Sequence, residues 1–157
     1  MIPDEVFLAR AVELARSGSE QGNGGPFGAL IVREGIVLAE AWNRVVIDND
    51  PTAHAEINAI RAASQKTGQF HLTGCTLYTS SEPCPMCLSA ALWARVDRVL
   101  YAADRHDAAD AGFDDAAFHG LFRHDTSGWP MAIEHLGLPQ RLAPFDAWRA
   151  NEERIPY

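Results

Sequence analysis

Two short segments of the sequence carry residue types that together could bind a metal ion and transfer protons. The first, TAHAEINAI, contains His54 and Glu56, and the second, EPCPMC, contains Cys84 and Cys87. One imidazole and two thiolates are soft to borderline ligands, and such a set suits Zn²⁺. Because three protein ligands leave the fourth tetrahedral position to water, the set is typical of a catalytic zinc site rather than a closed structural one.

The spacing of His54 and Glu56 indicates different tasks for the two side chains. Residues at i and i+2 of a helix lie on different sides, whereas helical metal pairs are usually placed at i and i+4. Side chains in a helix lean toward its N-terminus, so first-turn residues can converge on a point beyond the helix end. We therefore expect His54, Cys84 and Cys87 to bind one Zn²⁺ per chain beyond the ends of two helices. Glu56 is then free to serve as the general base that activates water on the metal.

The elements that must position these residues are predicted from apolar periodicity and turn residues. They are, in order, a helix over 4–17, strands over 27–32 and 36–42, a helix after Thr52, a strand over 75–80, a helix over 85–95, a strand over 96–103, a short helix ending at 122, a strand over 131–136 and a helix over 144–153. A hairpin followed by βαβ units predicts an α/β fold, a three-layer α/β/α sandwich around a five-stranded mixed sheet. We expect residues 1–157 to form a single domain.

Charge and composition restrict the partners that the protein can bind. The formal net charge is -8 at pH 7, with a single lysine, Lys66. Nucleic-acid binding relies on lysine and arginine side chains that neutralise phosphates, so we expect no nucleic-acid partner. No apolar run has the length of a membrane span, and Asp4 and Glu5 stand where an export signal would be positively charged, so we expect a cytoplasmic protein without a membrane partner. An odd number of cysteines favours metal binding over disulfides, with Cys75 in the core.

The pairing of H-x-E with P-C-x-x-C, each at the start of a predicted helix, is typical of zinc deaminases. At these residues the chain resembles the cytidine/deoxycytidylate deaminase-like superfamily of zinc-dependent enzymes, and within it the small bacterial guanine deaminases. The similarity covers nearly the whole chain, in the segments GGPFGALIV, DPTAHAEINAIR, YTSSEPCPMC, WAR, YAADRHDAADAGFDD and PFDAWRANEERIPY. It implies a cytidine-deaminase-like fold, a Zn²⁺ cofactor and the hydrolysis of guanine to xanthine and ammonia in purine catabolism or salvage. Glu56 would be the catalytic residue that transfers protons between water and the purine.

The resemblance also implies contacts between the protein and the purine base. Phe27 would lie against the base face, and Asn43, at the end of the second strand, would contact a base edge. Ala55 would belong to the same binding site, and Trp93 would line its floor.

Two further contacts are implied by AGFDD and by the aromatic residue at the C-terminus, the features that point to guanine. An acidic residue would lie at the far end of the pocket, and we favour Asp115 over Asp114 because Asp114 could cap the following helix. A carboxylate there would accept hydrogen bonds from the ring N–H groups of guanine. Tyr157 would close the site of its own chain or of its partner in a homodimer, with segment 143–157 as a swapped or lid element.

Other functions suit the same zinc motif. A tRNA adenosine deaminase would also contain DPTAHAEI and EPCPMC, but it would need a basic surface and room for a flipped nucleotide. The net charge of -8 weighs against it. Guanosine, cytosine and ammeline remain alternative small substrates. A non-catalytic zinc fold would bind metal without turnover, and the intact Glu56 argues against it.

Overall fold

The computed structural model describes residues 2–157 and contains one mixed sheet with strand order β2-β1-β3-β4. Its strands are β1 (Gly28–Arg33), β2 (Ile36–Trp42), β3 (Cys75–Ser81) and β4 (Arg98–Ala103). β1 pairs antiparallel with β2 and β3, whereas β3 and β4 are parallel. Glu34 and Gly35 both have positive φ, 51° and 78°, as the tight turn of a two-residue hairpin requires. The predicted hairpin is therefore present.

Helices cover both faces of this sheet. The α-helices are α1 (Asp4–Glu20), α2 (Val45–Asp48), α3 (Ala55–Thr67), α4 (Pro85–Trp93), α5 (Arg105–Asp110), α6 (Asp115–Leu121) and α7 (Ala143–Ala150). No helix in residues 2–157 has the length and apolar character needed to cross a membrane.

The side chains of β1 show why the sheet forms the middle layer. Ala29 and Ile31 belong to the cluster that includes residues of α3 and α4, whereas Leu30 and Val32 pack with residues of α1. All four are buried, since the two faces of β1 are covered by different helices. The predicted three-layer α/β/α arrangement is observed.

The prediction of a fifth strand is wrong. The sheet has four strands, and residues 131–136 have no regular secondary structure. The segment contains several apolar residues, but Met131, Ile133 and Leu136 are exposed, at 57%, 53% and 80%. A strand needs a neighbour for its backbone hydrogen bonds, and no described strand pairs with this segment.

Two short helices form where the sequence predicts loops. One is α2, which follows β2. The other is α5, which begins with a capping box in which the Asp104 side chain accepts from the backbone of Asp107 and the Asp107 side chain accepts from the backbone of Asp104. This reciprocal pair satisfies backbone N–H groups that a helix start otherwise leaves free.

The C-terminal segment lies outside the core. Every residue from 130 to 157 is exposed, including the large apolar side chains of Phe145, Trp148, Ile155 and Tyr157. Tyr157 makes aromatic contacts with Trp93 and Trp148, with ring centroids 5.9 and 6.4 Å apart. Large apolar side chains are therefore concentrated on the surface of this segment.

Candidate metal centre and active site

The starts of two helices position the predicted metal ligands. His54 is the N-cap of α3 and Cys84 is the N-cap of α4, both with extended backbone conformations. Pro85 follows Cys84 in the first helical position, where its missing N–H costs nothing. Cys87 lies in the same first turn. The structure thus brings the ligands together beyond the N-termini of α3 and α4, as their spacing predicts.

The distances among these three side chains fit a zinc ion. His54 Nδ1 lies 3.7 Å from Cys84 Sγ and 3.5 Å from Cys87 Sγ. Tetrahedral zinc with ordinary Zn–N and Zn–S bond lengths would place such atoms about 3.6 Å apart. In the described part of the chain, the cluster of candidate ligands contains these three residues and no fourth. The donor set therefore leaves a coordination position for water or substrate.

The two thiols titrate as a pair. Hydrogen bonds from Cys87 and His54 lower the pKa of the Cys84 thiol to about 4. The pKa of Cys87 is raised because its thiol is hydrogen-bonded to Cys84 and buried next to Glu56. Zinc ligation needs thiolates, so metal binding releases the proton that Cys87 retains.

Glu56 lies beside the ligands on α3. It is only 5% exposed, and burial raises the pKa of its carboxyl group. Its Oε1 accepts a hydrogen bond of 3.2 Å from the Thr79 hydroxyl, and its Oε2 lies 3.5 Å from Cys87 Sγ. A buried carboxyl group with a raised pKa next to an open metal position can accept a proton from water and return it to substrate.

A cavity of about 220 Å³ lies next to Glu56 and the ligands His54 and Cys84. Six of the residues singled out in the sequence line it: Phe27, Asn43, His54, Glu56, Cys84 and Asp115. Five further lining residues were not predicted as site residues: Gly25, Val45, Val46, Glu82 and Phe113. The cavity is smaller than pockets for drug-sized ligands, which run from about 300 to 1,000 Å³. A cavity of this size can hold one small molecule.

Backbone contacts fix the orientation of the Asn43 carboxamide. Its Oδ1 accepts hydrogen bonds from the backbone N–H groups of Gly25, at 3.3 Å, and Val45, at 3.2 Å. Because the carbonyl oxygen is used in this way, the group offers its NH₂ as a hydrogen-bond donor at the cavity wall.

Asp115 and the aromatic pair form another part of the cavity. Asp115 is the first residue of α6, and partial burial, followed by the nearby Cys84, raises the pKa of its carboxyl group. Asp114 is the N-cap of α6, makes no capping bond through its side chain and does not line the cavity. Phe27 and Phe113 meet edge to face at 4.8 Å and 81°.

The structure places the remaining predicted residues elsewhere. Ala55 is fully buried in the core and is not among the lining residues. Trp93 does not form the predicted floor, because it ends α4, about 12 Å along the helix from the ligand-bearing first turn. Tyr157 packs against Trp93 and lines a surface groove with Phe70 and Arg95, outside the cavity of its own chain.

Residues 1–103 match the family described as the cytidine and deoxycytidylate deaminase zinc-binding region. The chain belongs to this family of zinc-dependent deaminases. It is 50% identical over 153 residues to the guanine deaminase of Bacillus subtilis (strain 168), covering 98% of each chain. The X-ray structure of guanine deaminase from that organism superposes with a TM-score of 0.95 at 47% identity, covering 99% of both chains.

Relatives of lower identity include a tRNA-specific enzyme and a second guanine deaminase. The tRNA-specific adenosine deaminase of Haemophilus influenzae is 36% identical over 158 residues, covering 97% of this chain and 88% of that protein. A structure of guanine deaminase from Nitrosomonas europaea aligns at a TM-score of 0.69 with 34% identity, over 73% of this chain and 66% of that one. Similarity is therefore higher to the Bacillus guanine deaminase than to the tRNA-specific enzyme.

Proposed function

We propose that this protein is a zinc-dependent aminohydrolase that converts guanine to xanthine and ammonia, in purine catabolism or salvage. The observation that carries this function is one small cavity lined by the zinc ligands His54 and Cys84, by Glu56 and by Asn43 and Asp115, with the third ligand, Cys87, in the same cluster. The sequence identity of 50% to a guanine deaminase over 98% of the chain supports guanine as the substrate.

The polar groups of the cavity complement the edges of guanine. Guanine carries ring N–H donors, which the Asp115 carboxylate can accept, and carbonyl and ring-nitrogen acceptors, which the Asn43 NH₂ can satisfy. Adenine lacks the carbonyl and the N–H at the corresponding ring position, so it would leave a partly buried carboxylate unpaired, at a cost in binding. Phe27 supplies an apolar surface for one face of the base.

The chemistry depends on both the metal and Glu56. His54, Cys84 and Cys87 would hold a Zn²⁺ ion, which, when bound, would supply an activated water at neutral pH. Glu56 accepts a proton from the attacking water and delivers it to the ring nitrogen beside C2, while the water oxygen bonds to C2. Glu56 then transfers the remaining hydroxyl proton to the exocyclic amine. The C2–N bond breaks, ammonia leaves with the bonding electrons, and xanthine remains.

We also propose that residues 1–157 form one domain and that two chains form a homodimer in which segment 143–157 is exchanged. Tyr157 would then close the cavity of the partner. Two observations support this arrangement: Tyr157 lies outside the cavity of its own chain, and every residue of segment 143–157 is exposed, including its large apolar side chains. Exchange would bury these side chains and supply the missing wall of the site.

Ammonia release from a panel of substrates tests the proposed reaction. The panel contains guanine, guanosine, adenine, cytosine, cytidine, ammeline and a tRNA substrate. We expect guanine to have the highest kcat/KM, with xanthine formed in equal amount to ammonia. A clear preference for another compound would contradict the substrate, and absence of ammonia from every compound in zinc-loaded protein would contradict the reaction.

A further inference from the structure

Glu82 and Arg105 form an ion pair at the edge of the cavity. Glu82 Oε1 accepts from Arg105 Nη2 at 2.6 Å, and Oε2 accepts from both Nε and the backbone N–H of Arg105 at 3.0 Å. Their side chains are 14% and 23% exposed, whereas both partners of every other ion pair found in residues 2–157 are at least 34% exposed. Partly buried, bidentate pairs of this kind have a fixed geometry.

Glu82 lines the cavity but is poorly suited to proton transfer. Both of its oxygens accept hydrogen bonds from Arg105. They are therefore already occupied, whereas Oε2 of Glu56 lies beside the ligand Cys87. A structural task fits these contacts better than a chemical one.

The ion pair joins two parts of the active site. Glu82 stands two residues before the ligand Cys84, and Arg105 is the first residue of α5. α5 packs against α6. Phe113 lies in the connection between these two helices, and Asp115 is the first residue of α6. The pair therefore connects residues 82–84, the zinc-ligand loop, with the part of the cavity wall formed by Phe113 and Asp115.

A second contact joins the same two parts. His119, one turn after Asp115 on α6, donates from Nε2 to the backbone carbonyl of Pro83 at 3.0 Å. Residues 82 and 83 thus accept hydrogen bonds from the start of α5 and from the middle of α6. Two separate contacts therefore hold α5 and α6 against residues 82 and 83.

We propose that Glu82 and Arg105 are positioning residues for substrate recognition, which hold the Asp115 carboxylate at a fixed distance from the zinc ligands. This inference rests on the proposed function, because it assigns Asp115 to the purine. Without the ion pair, α5 and α6 keep their fold, but Asp115 no longer has one place relative to the reacting carbon. Small displacements of such groups reduce the rate strongly.

The test compares Glu82→Gln and Arg105→Lys with wild type. We expect each to lower kcat/KM for guanine by between about 10-fold and about 100-fold, mainly through a higher KM, with zinc content unchanged. Glu40→Gln is the matched control, since Glu40 forms a similar bidentate pair with Arg10 far from the cavity. It should leave KM unchanged.

A double-mutant cycle with Asp115→Asn separates positioning from general support of the fold. If Glu82 acts through Asp115, Glu82→Gln should change kcat/KM by less than about twofold in the Asp115→Asn background. An equal loss in both backgrounds, or a lower melting temperature with unchanged KM, would overturn the inference. Arg105→Lys, which retains the charge, serves if Glu82→Gln does not fold.

Hydrogen exchange keeps this inference distinct from the choice of substrate. Glu82→Gln should speed amide exchange in residues 105–121 while α3 exchanges as in wild type. If wild type does not act on guanine, the proposed function fails, and the exchange experiment still tests whether the ion pair fixes this segment. Unchanged exchange in residues 105–121 would contradict the positioning role.

Discussion

The hydroxyl of Thr79, in the fully buried part of β3, donates a hydrogen bond of 3.2 Å to Oε1 of Glu56. This bond fixes one oxygen of the carboxylate and leaves the other beside Cys87, at the metal site. The side chain that transfers protons is thus oriented by the sheet as well as by its own helix. Such supporting contacts determine whether a general base reaches its proton in the required geometry.

Replacing Thr79 by valine should therefore impair turnover without removing the metal. Valine has nearly the same shape but lacks the donor, and hydrogen bonds to charged groups are worth about 1.5–3 kcal/mol. We expect kcat to fall about tenfold or more, with zinc content unchanged. Thr76→Val, on the opposite face of β3, is the control. Equal effects of the two substitutions would argue against a specific role of Thr79.

Glu56→Gln tests whether this residue transfers protons or binds the metal. The amide cannot accept and return a proton, so ammonia release should fall by about 100-fold to about 10,000-fold. Zinc measured by atomic absorption should remain at roughly one ion per chain, because three other residues supply the ligands. A variant that loses its zinc would show that Glu56 is a ligand instead.

Asn43→Asp separates the two ends of one carboxamide. The new carboxylate can still accept from the backbone N–H groups of Gly25 and Val45, so the loop should keep its structure. It can no longer donate to the purine, and a mismatched polar group should lower kcat/KM by about 100-fold or more. Asn23→Asp introduces the same charge at an exposed position. An Asn43→Asp variant with normal kinetics would exclude Asn43 from base recognition.

The ion pair between Glu82 and Arg105 predicts a pH-dependent contribution to stability. The pKa of Glu82 is lowered from 4.5 to about 2, so the folded protein favours the ionised form relative to the unfolded chain. The resulting stability is fully present above pH 4.5 and is lost as the pH falls toward 2. Urea unfolding of wild type and Glu82→Gln should differ most near neutral pH and converge in acid. A difference that does not change with pH would contradict this assignment.

Complementation between two variants with defective active sites tests the exchange of segment 143–157. Deleting Tyr157 should impair guanine deamination without unfolding the protein, and Glu56→Gln should abolish it. In an exchanged dimer, a chain without Tyr157 receives the intact tail of a Glu56→Gln partner. Coexpression should then restore about a quarter of wild-type activity, the share expected if half of the dimers carry one complete site. No recovery in mixed dimers would mean that Tyr157 acts within its own chain or not at all.

The zinc site could be predicted because its residues lie in two short motifs of the sequence. His54 and Glu56 belong to one segment, and Cys84 and Cys87 to another, so residue type and spacing were sufficient. Phe113 lies in the segment YAADRHDAADAGFDD and Glu82 in YTSSEPCPMC, but nothing local shows that they face the cavity. Their roles depend on how residues 104–115 return to the ligand loop, which only the folded chain shows.

The errors in the fold have a similar cause. The apolar residues in 131–136 favour a strand, but they do not show whether a neighbouring strand is available for hydrogen bonding. Trp93 lies on the same helix as the cysteines, yet the length of α4 separates it from them. Sequence patterns describe single elements well, whereas partners across the fold must be found in the structure.

The position of the ligands in the chain also means that a bound metal ion would stabilise the fold. His54 and Cys84 are 30 residues apart, and the segment between them includes α3 and the central strand β3. A bound ion cross-links the two ends of this segment and so reduces the conformational entropy of the unfolded chain, as other loop closures do. Removing zinc with a chelator should therefore lower both the melting temperature and the activity, because the same ion takes part in catalysis and stabilises the fold.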